Sequence, residues 1–323
     1  MSLETEAVLD RRRMRRRLAF WRSAAVLFVG LLIGALMFGS GDLTSLPGTK
    51  QIARVAIEGT ITDDRNQIAL LKKIRDAKHV EALIVFVNSP GGTTTGGESL
   101  YLALRDVAEK KPVVAQFGTV AASAGYIVGL GTDHIVARGN SITGSVGVLA
   151  QWPEVSEMLG KLGVRFNEVK SGALKASPNP FEPASEEARK VMQETIDDGF
   201  RWFLSLVEAR RGIVAGNVDG LTEGRIYSGR QALALRLVDE IGGEAEAVRW
   251  LETTRNVTKD LKVVDWKPAS QSAWGSVTGR AAQAAGAVLA AAVGNLLEVA
   301  AATPNLGGLG LDGLVSVWQP AEN

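Results

Sequence analysis

Ala82–Val87 reads ALIVFV, six consecutive apolar residues, and is followed at once by Asn88-Ser89-Pro90-Gly91-Gly92. A strand with no polar face has to be buried on both sides, which points to the interior of a parallel sheet flanked by helices. The surrounding runs agree. Ile52–Ile57, Pro112–Phe117 and Ile135–Ala137 predict strands, and Val146–Leu149 and Val164–Val169 predict two more. Between them Arg65–Ala77, Gly96–Lys110, Ala122–Leu130 and Glu186–Arg211 carry helical spacing. Strands alternating with helices of these lengths imply an α/β fold with a mainly parallel sheet, spanning residues 51–266.

What precedes that body has a different texture. Ser23–Gly39 (SAAVLFVGLLIGALMFG) holds no charge, and as a helix it would reach ~26 Å, close to a bilayer's hydrocarbon thickness. Trp21 suits the interface, and Arg22 could snorkel to lengthen the span. Ahead of it lie Arg11, Arg12, Arg13, Arg15, Arg16 and Arg17. The expectation is a basic cytoplasmic tail over 1–22, a transmembrane anchor over 23–43 and a small polar linker over 44–50. The remainder would then lie outside the cytoplasm. A cleaved signal peptide is the alternative, disfavoured by the length of the apolar stretch and the lack of an A-x-A site. Residues 267–323 form an Ala/Gly-rich region, in which Arg280–Ala302 predicts a helix and the glycine-rich stretch beyond it a mobile tail.

Composition removes several kinds of chemistry. The chain has no cysteine, so disulfides, thiolate catalysis and Cys-based zinc sites are absent. No metal site and no cofactor requirement is evident. The arginine-rich start aside, the rest is slightly acidic, which argues against nucleic acid as a partner.

Two turns after predicted strands could carry a reaction. One is Asn88–Gly92, the other Thr119-Val120-Ala121-Ala122-Ser123-Ala124-Gly125-Tyr126. Sites in parallel α/β folds gather where strands end and helices begin. A serine flanked by small residues there can present its hydroxyl, and the N–H groups of Gly91, Gly92 and Ala124 could hold an oxyanion. Small neighbours at Gly118, Ala121 and Ala122 suit a modest apolar side-chain pocket. A serine needs a base. His79 and His134, the only histidines, both precede predicted strands and so fall at the opposite end of the sheet from its exit turns. A lysine serves if burial lowers its pKa, and Lys170-Ser171-Gly172-Ala173-Leu174-Lys175 supplies two candidates.

Five stretches in order, VNSPGG (87–92), VAASAGY (120–126), TGSVGV (143–148), VKSGALKASPNPFEPAS (169–185) and GRIYSGRQALALRLVDEIGG (224–243), resemble the signal peptide peptidase A family over roughly residues 51–250. The resemblance implies a Clp-protease/crotonase-like fold that self-assembles into a ring or dome. It implies Ser123 as nucleophile and Lys175, rather than Lys170, as general base. Ser145 would orient the lysine amine, and Gly92, with Gly91 beside it, and Ala124 would form the oxyanion hole. It further implies a serine endopeptidase of the bacterial inner membrane with an extracytoplasmic catalytic domain, degrading remnant signal peptides or unfolded segments. Three positions depart from the family pattern: Ala124 and Arg236 stand where glycine is common, and Ile127 where a second aromatic is common. Competing readings are a general membrane-fragment protease, acyl-CoA chemistry with Glu98 as its only nearby carboxylate, and a non-catalytic scaffold.

Overall fold

The computed structural model describes Trp21, residues 49–268 and residues 315–317. Among these no helix is long and apolar enough to cross a membrane. The anchor predicted over 23–43, the linker up to residue 48 and the helix predicted over Arg280–Ala302 lie outside the described residues.

In chain order the elements are β1 (Gln51–Ile61), α1 (Arg65–Asp76), β2 (Val80–Thr93), α2 (Thr94–Ala108), β3 (Val113–Ala122) and α3 (Ala124–Leu130). There follow β4 (His134–Ala137), β5 (Ile142–Gly144), α4 (Ser156–Lys161) and α5 (Glu186–Arg211). The last are β6 (Ile226–Ser228), α6 (Gly229–Ala234), β7 (Glu240–Ile241), α7 (Glu244–Thr254), β8 (Val263–Asp265) and β9 (Val315–Val317). The main sheet runs β6-β5-β3-β2-β1-β8, with β4 also on β3, β7 on β4 and β9 on β2. Only β5–β6 and β2–β9 are antiparallel, so the sheet is mainly parallel as expected.

The apolar run in β2 explains the layering. Leu83, Val85 and Val87 face a core completed by Leu71 and Ile74 of α1, Leu104 of α2, Tyr126 and Ile127 of α3, and Phe203 of α5. Ala82 and Ile84 face the other way, against Ala247 and Leu251 of α7. Alternation along one strand therefore feeds two helical layers. The long α5 is bounded by its own sequence. The Ser185 hydroxyl accepts from the Ala188 N–H at 3.1 Å, and Gly212 closes the helix at φ +61°.

Toward the site the strands part. β2 and β3 stay in register from Leu83↔Val113 to Val87↔Phe117, then the register slips before Ser89↔Ala121. β3 also exchanges a neighbour, pairing with β4 through Phe117 and with β5 from Val120. At the far end of β2, Gly91–Thr93 pair antiparallel with Val315–Val317. The end of a chain expected to be mobile thus includes a strand added at the exit of β2.

Two predicted strands are not found. In place of Val146–Leu149 the strand is Ile142–Gly144, because Ser145 turns the backbone to φ +52° and ends the pairing. Val164–Val169 forms no strand: among the described residues no other strand pairs with it, and Val164, Phe166 and Val169 are left exposed, Val169 fully so at 103%.

Candidate active site

Ser123 occupies the single residue between β3 and α3, at φ 56° and ψ −120°, a backbone conformation that side-chain-bearing residues rarely adopt. The turn is held from several sides. The Ser123 N–H donates to the Gly144 carbonyl at 2.9 Å, and its own carbonyl accepts from Tyr126 and Ile127. The Thr143 hydroxyl donates to the Ala121 carbonyl at 2.7 Å. A sharp strand-to-helix turn of this kind lifts a nucleophilic hydroxyl above the end of a sheet. Ser123 is 1% exposed yet lines a cavity, as a nucleophile sheltered from bulk water should.

The second predicted turn lies against the first. Ser89, partnered with Ala121 across the sheet, accepts from the Gly91 N–H at 3.1 Å and donates to the Gly91 carbonyl at 3.2 Å. The Gly91 amide is thereby engaged within its own turn. Asn88 accepts from the Thr119 and Val120 N–H groups, joining the two turns directly. Closeness makes glycine necessary at two places. A Cβ on Gly92 would fall 1.8 Å from the Ile61 carbonyl oxygen, and one on Gly125 2.9 Å from that of Ser89.

The cavity beside Ser123 measures about 490 Å³, within the ~300–1,000 Å³ usual for ligand pockets. Ser145 opens onto it together with Val146, Val148, Ile196 and Phe200, and Asp197 and Glu223 add carboxylates. Sequence reasoning missed the contribution of α5. Gln193, Ile196, Asp197 and Phe200 recur at helical spacing on one face, a signal that marks a shared surface without saying which surface it meets. Gly118, Ala121 and Ala122, expected to shape the pocket, do not line it, and the two alanines are fully buried.

The two lysines have different surroundings. Lys175 sits in a turn whose backbone closes with its N–H on the Gly172 carbonyl at 3.0 Å. Its side chain is exposed and does not line the Ser123 cavity. Within one chain, then, Ser123 and Ser145 are brought together and Lys175 is not. Lys170 pairs with Glu168 and, at 2.7 Å, with Glu182. Hydrogen bonding to Glu168, then to Glu182, raises its pKa and favours the charged amine, the opposite of what a general base needs. The histidines lie where strands start. His79 precedes β2 and stacks on Trp266, and His134 opens β4, stacked on Trp250 and 3.4 Å from Glu240. Among the described residues no group of three or more potential ligands could hold a metal ion.

Residues 105–258, which contain Ser123, Ser145 and Lys175, match the family model described as Peptidase family S49. A Synechocystis sp. protein named as a protease is 36% identical over 218 residues, 67% of this chain and 78% of that one. The chain belongs to peptidase family S49. Other S49 relatives include an Enterococcus faecium protein named as signal peptide peptidase SppA, 34% identical over 73% of this chain and 74% of its own. Protease 4 of Haemophilus influenzae is 33% identical over 67% of this chain and 37% of its own length. Membership makes the protein a serine protease of the SppA group. Among solved structures, the 1510-N membrane-bound stomatin-specific protease aligns over 68% of this chain and all of its own, at a TM-score of 0.45 and 18% identity. That likeness is too slight to bear on the site.

Proposed function

We propose that this chain is a membrane-anchored serine endopeptidase with a Ser123–Lys175 dyad, which degrades remnant signal peptides outside the cytoplasm. The observation that carries the reading is Ser123 itself, a buried serine on a strained strand-to-helix turn, opening onto a cavity of about 490 Å³. The anchor expected from residues 23–43 and the kinship with SppA support the location and the substrate.

In this mechanism neutral Lys175 takes the Ser123 proton as Oγ bonds to the scissile carbonyl carbon. The carbonyl electron pair moves onto oxygen, where the N–H groups of Gly92 and Ala124 stabilise it. The tetrahedral adduct collapses as the C–N bond breaks, and Lys175 returns its proton to the leaving amine. Water, deprotonated by the same amine, then cleaves the acyl-serine ester. Ser145, at the cavity wall, orients the lysine. An extended substrate would pair along Gly91–Thr93 in place of Val315–Val317, which lie antiparallel on that edge in the structure.

Lys175 is exposed in its own chain, and so are Met158, Leu162, Val164, Phe166 and Val169 on the segment leading to it. An apolar arm of this kind suits burial against a second copy. We place the Lys175 amine in the cavity of that neighbour, inside a ring or dome, out of bulk water.

The test is peptidase activity of the full chain in detergent toward a fluorogenic apolar peptide across pH 6–10, beside Ser123→Ala and Lys175→Ala. Both variants should lose at least ~1,000-fold in kcat, and wild-type activity should rise through one base ionisation. Near-wild-type turnover in either variant would overturn the dyad.

A further inference from the structure

The segment that carries Lys175 is fastened at its base by groups that no step of the reaction uses. Phe166 and Phe181 stack with ring centroids 4.3 Å apart, bringing the two strands of the loop together. Just inside, Lys170 reaches across to Glu182 at 2.7 Å while also meeting Glu168. Glu182 accepts a further bond from the Asn179 amide at 2.8 Å, and the same amide donates to the Ala176 carbonyl at 3.1 Å. Asn179 then accepts from the Phe181 N–H at 2.9 Å. The chain of contacts therefore runs from Lys170 through Glu182 and Asn179 to the residue directly after Lys175. That residue, Ala176, has φ +58°, a conformation an alanine holds only when its surroundings impose it.

We infer that Lys170 is a positioning residue. Its ammonium clamps Glu168 and Glu182 so that the Ser171–Ala176 turn is rigid and presents the Lys175 amine at a fixed height and direction. The inference rests on the reading of Lys175 as the base. It explains why two lysines five residues apart in one short element serve differently. One is kept charged between carboxylates as a fastener, and the other is left at the tip. The Lys170 side chain is only 16% exposed although it lies on an otherwise exposed arm, as a fastener should be and a solvated surface charge need not be. The arrangement also has the right order of rigidity. A base that must meet a serine hydroxyl within hydrogen-bond reach loses rate steeply when misplaced by about 1 Å, roughly a hundredfold. A six-residue turn without a closed base would wander by more than that.

The experiment measures kcat and KM of the full chain across pH 6–10 for Lys170→Met, Lys170→Arg, Glu182→Gln and Lys175→Ala. Lys170→Met keeps the aliphatic stem and removes the clamp. Its kcat should fall about tenfold to a hundredfold while KM stays within roughly twofold, since the substrate cavity is untouched. The ascending limb of its pH profile should persist at a lower plateau, because the base itself is still present. Lys170→Arg should restore kcat to within about threefold of wild type, a guanidinium being able to bind both carboxylates. Glu182→Gln should lose a smaller factor, about threefold to tenfold, and it supplies the same reading should Lys170→Met fail to fold. Wild-type kcat in both Lys170→Met and Glu182→Gln would overturn the inference. So would a Lys170→Arg enzyme as slow as Lys170→Met, which would mean that the ammonium proton itself takes part. Retained activity in Lys175→Ala would instead remove the dyad, and the fastener with it, and is read independently of the other three.

Discussion

Arg236 adopts φ +59°, a left-handed conformation that costs a residue bearing a Cβ about 1–2 kcal/mol. The family resemblance leads one to expect glycine at this position, and the backbone has a geometry that suits glycine. The bonds that fix this turn are all main-chain on its side: its N–H donates to the Leu233 carbonyl at 3.0 Å, and its carbonyl accepts from Arg211 Nε at 2.7 Å. Arg236→Gly preserves both. The gain is partly offset by the greater freedom of glycine in the unfolded chain, leaving a net stabilisation of about 0.5–1 kcal/mol. Thermal unfolding should show a rise of roughly 1–4 °C with unchanged peptidase activity. A lower midpoint would mean that the arginine side chain contributes more than the strain it imposes. Ser123 has a similar φ, and in the proposed mechanism its hydroxyl is needed there. The sequence singled out both residues, Ser123 by its small neighbours and Arg236 as a departure. It could not show that either is strained, because backbone angles at a turn are set by the strands and helices on both sides.

Among the elements, those bounded by local chemistry were legible and those bounded by partners were not. The helix expected over Glu186–Arg211 is α5, whose acidic first turn marks its start in the sequence and which the structure shows capped by Ser185 and closed by Gly212. β2 was placed by its apolar run, but it continues through Gly91 and Gly92 because β1 and β9 pair with them, which no local pattern reveals. Val164–Val169 had a strand's composition and lacks a strand partner among the described residues. A contact of this long-range kind anchors the start of β2. Glu81 pairs with Lys50 at 2.6 Å and accepts from the N–H and hydroxyl of Thr258, tying the first strand's approach to the end of α7. Hydrogen bonding to Lys50, aided by Thr258, lowers the Glu81 pKa below its ordinary 4.5. The unfolded chain therefore binds more protons near pH 4, so the contribution is fully present above 4.5 and is lost as pH falls through the folded-state value. With Lys50 largely exposed, Glu81→Gln should cost about 0.5–1 kcal/mol at neutral pH, a cost that shrinks as pH falls through the folded-state value. Denaturant unfolding of both forms at several pH values checks this, and a difference independent of pH would mean that the ionised carboxylate is not what stabilises the contact.

At the scale of the whole molecule the question is how a buried serine beside an open cavity and a lysine on an exposed arm would form the proposed site. Every element that builds the serine side is completed within the chain: β3, α3, β5 and one face of α5 close on each other with apolar contacts and main-chain bonds. The lysine side ends in exposed apolar side chains, so the missing surface is a protein one. A head-to-tail arrangement, in which each copy gives its arm to the next, leaves no copy without a lysine once the ring closes. This arrangement predicts complementation. Ser123→Ala chains retain Lys175, and Lys175→Ala chains retain Ser123, so each is inactive alone. If the two are mixed in equal amounts under conditions that allow subunits to exchange, a site is intact when its serine donor and its lysine donor are both the right kind. Random assembly makes each true half of the time, so about one quarter of wild-type activity should return. A site formed within one chain would recover none, because no single chain in the mixture holds both groups. Preventing exchange by mixing after chemical cross-linking should abolish the recovery. Recovery undiminished by cross-linking would count against a site shared between neighbouring subunits.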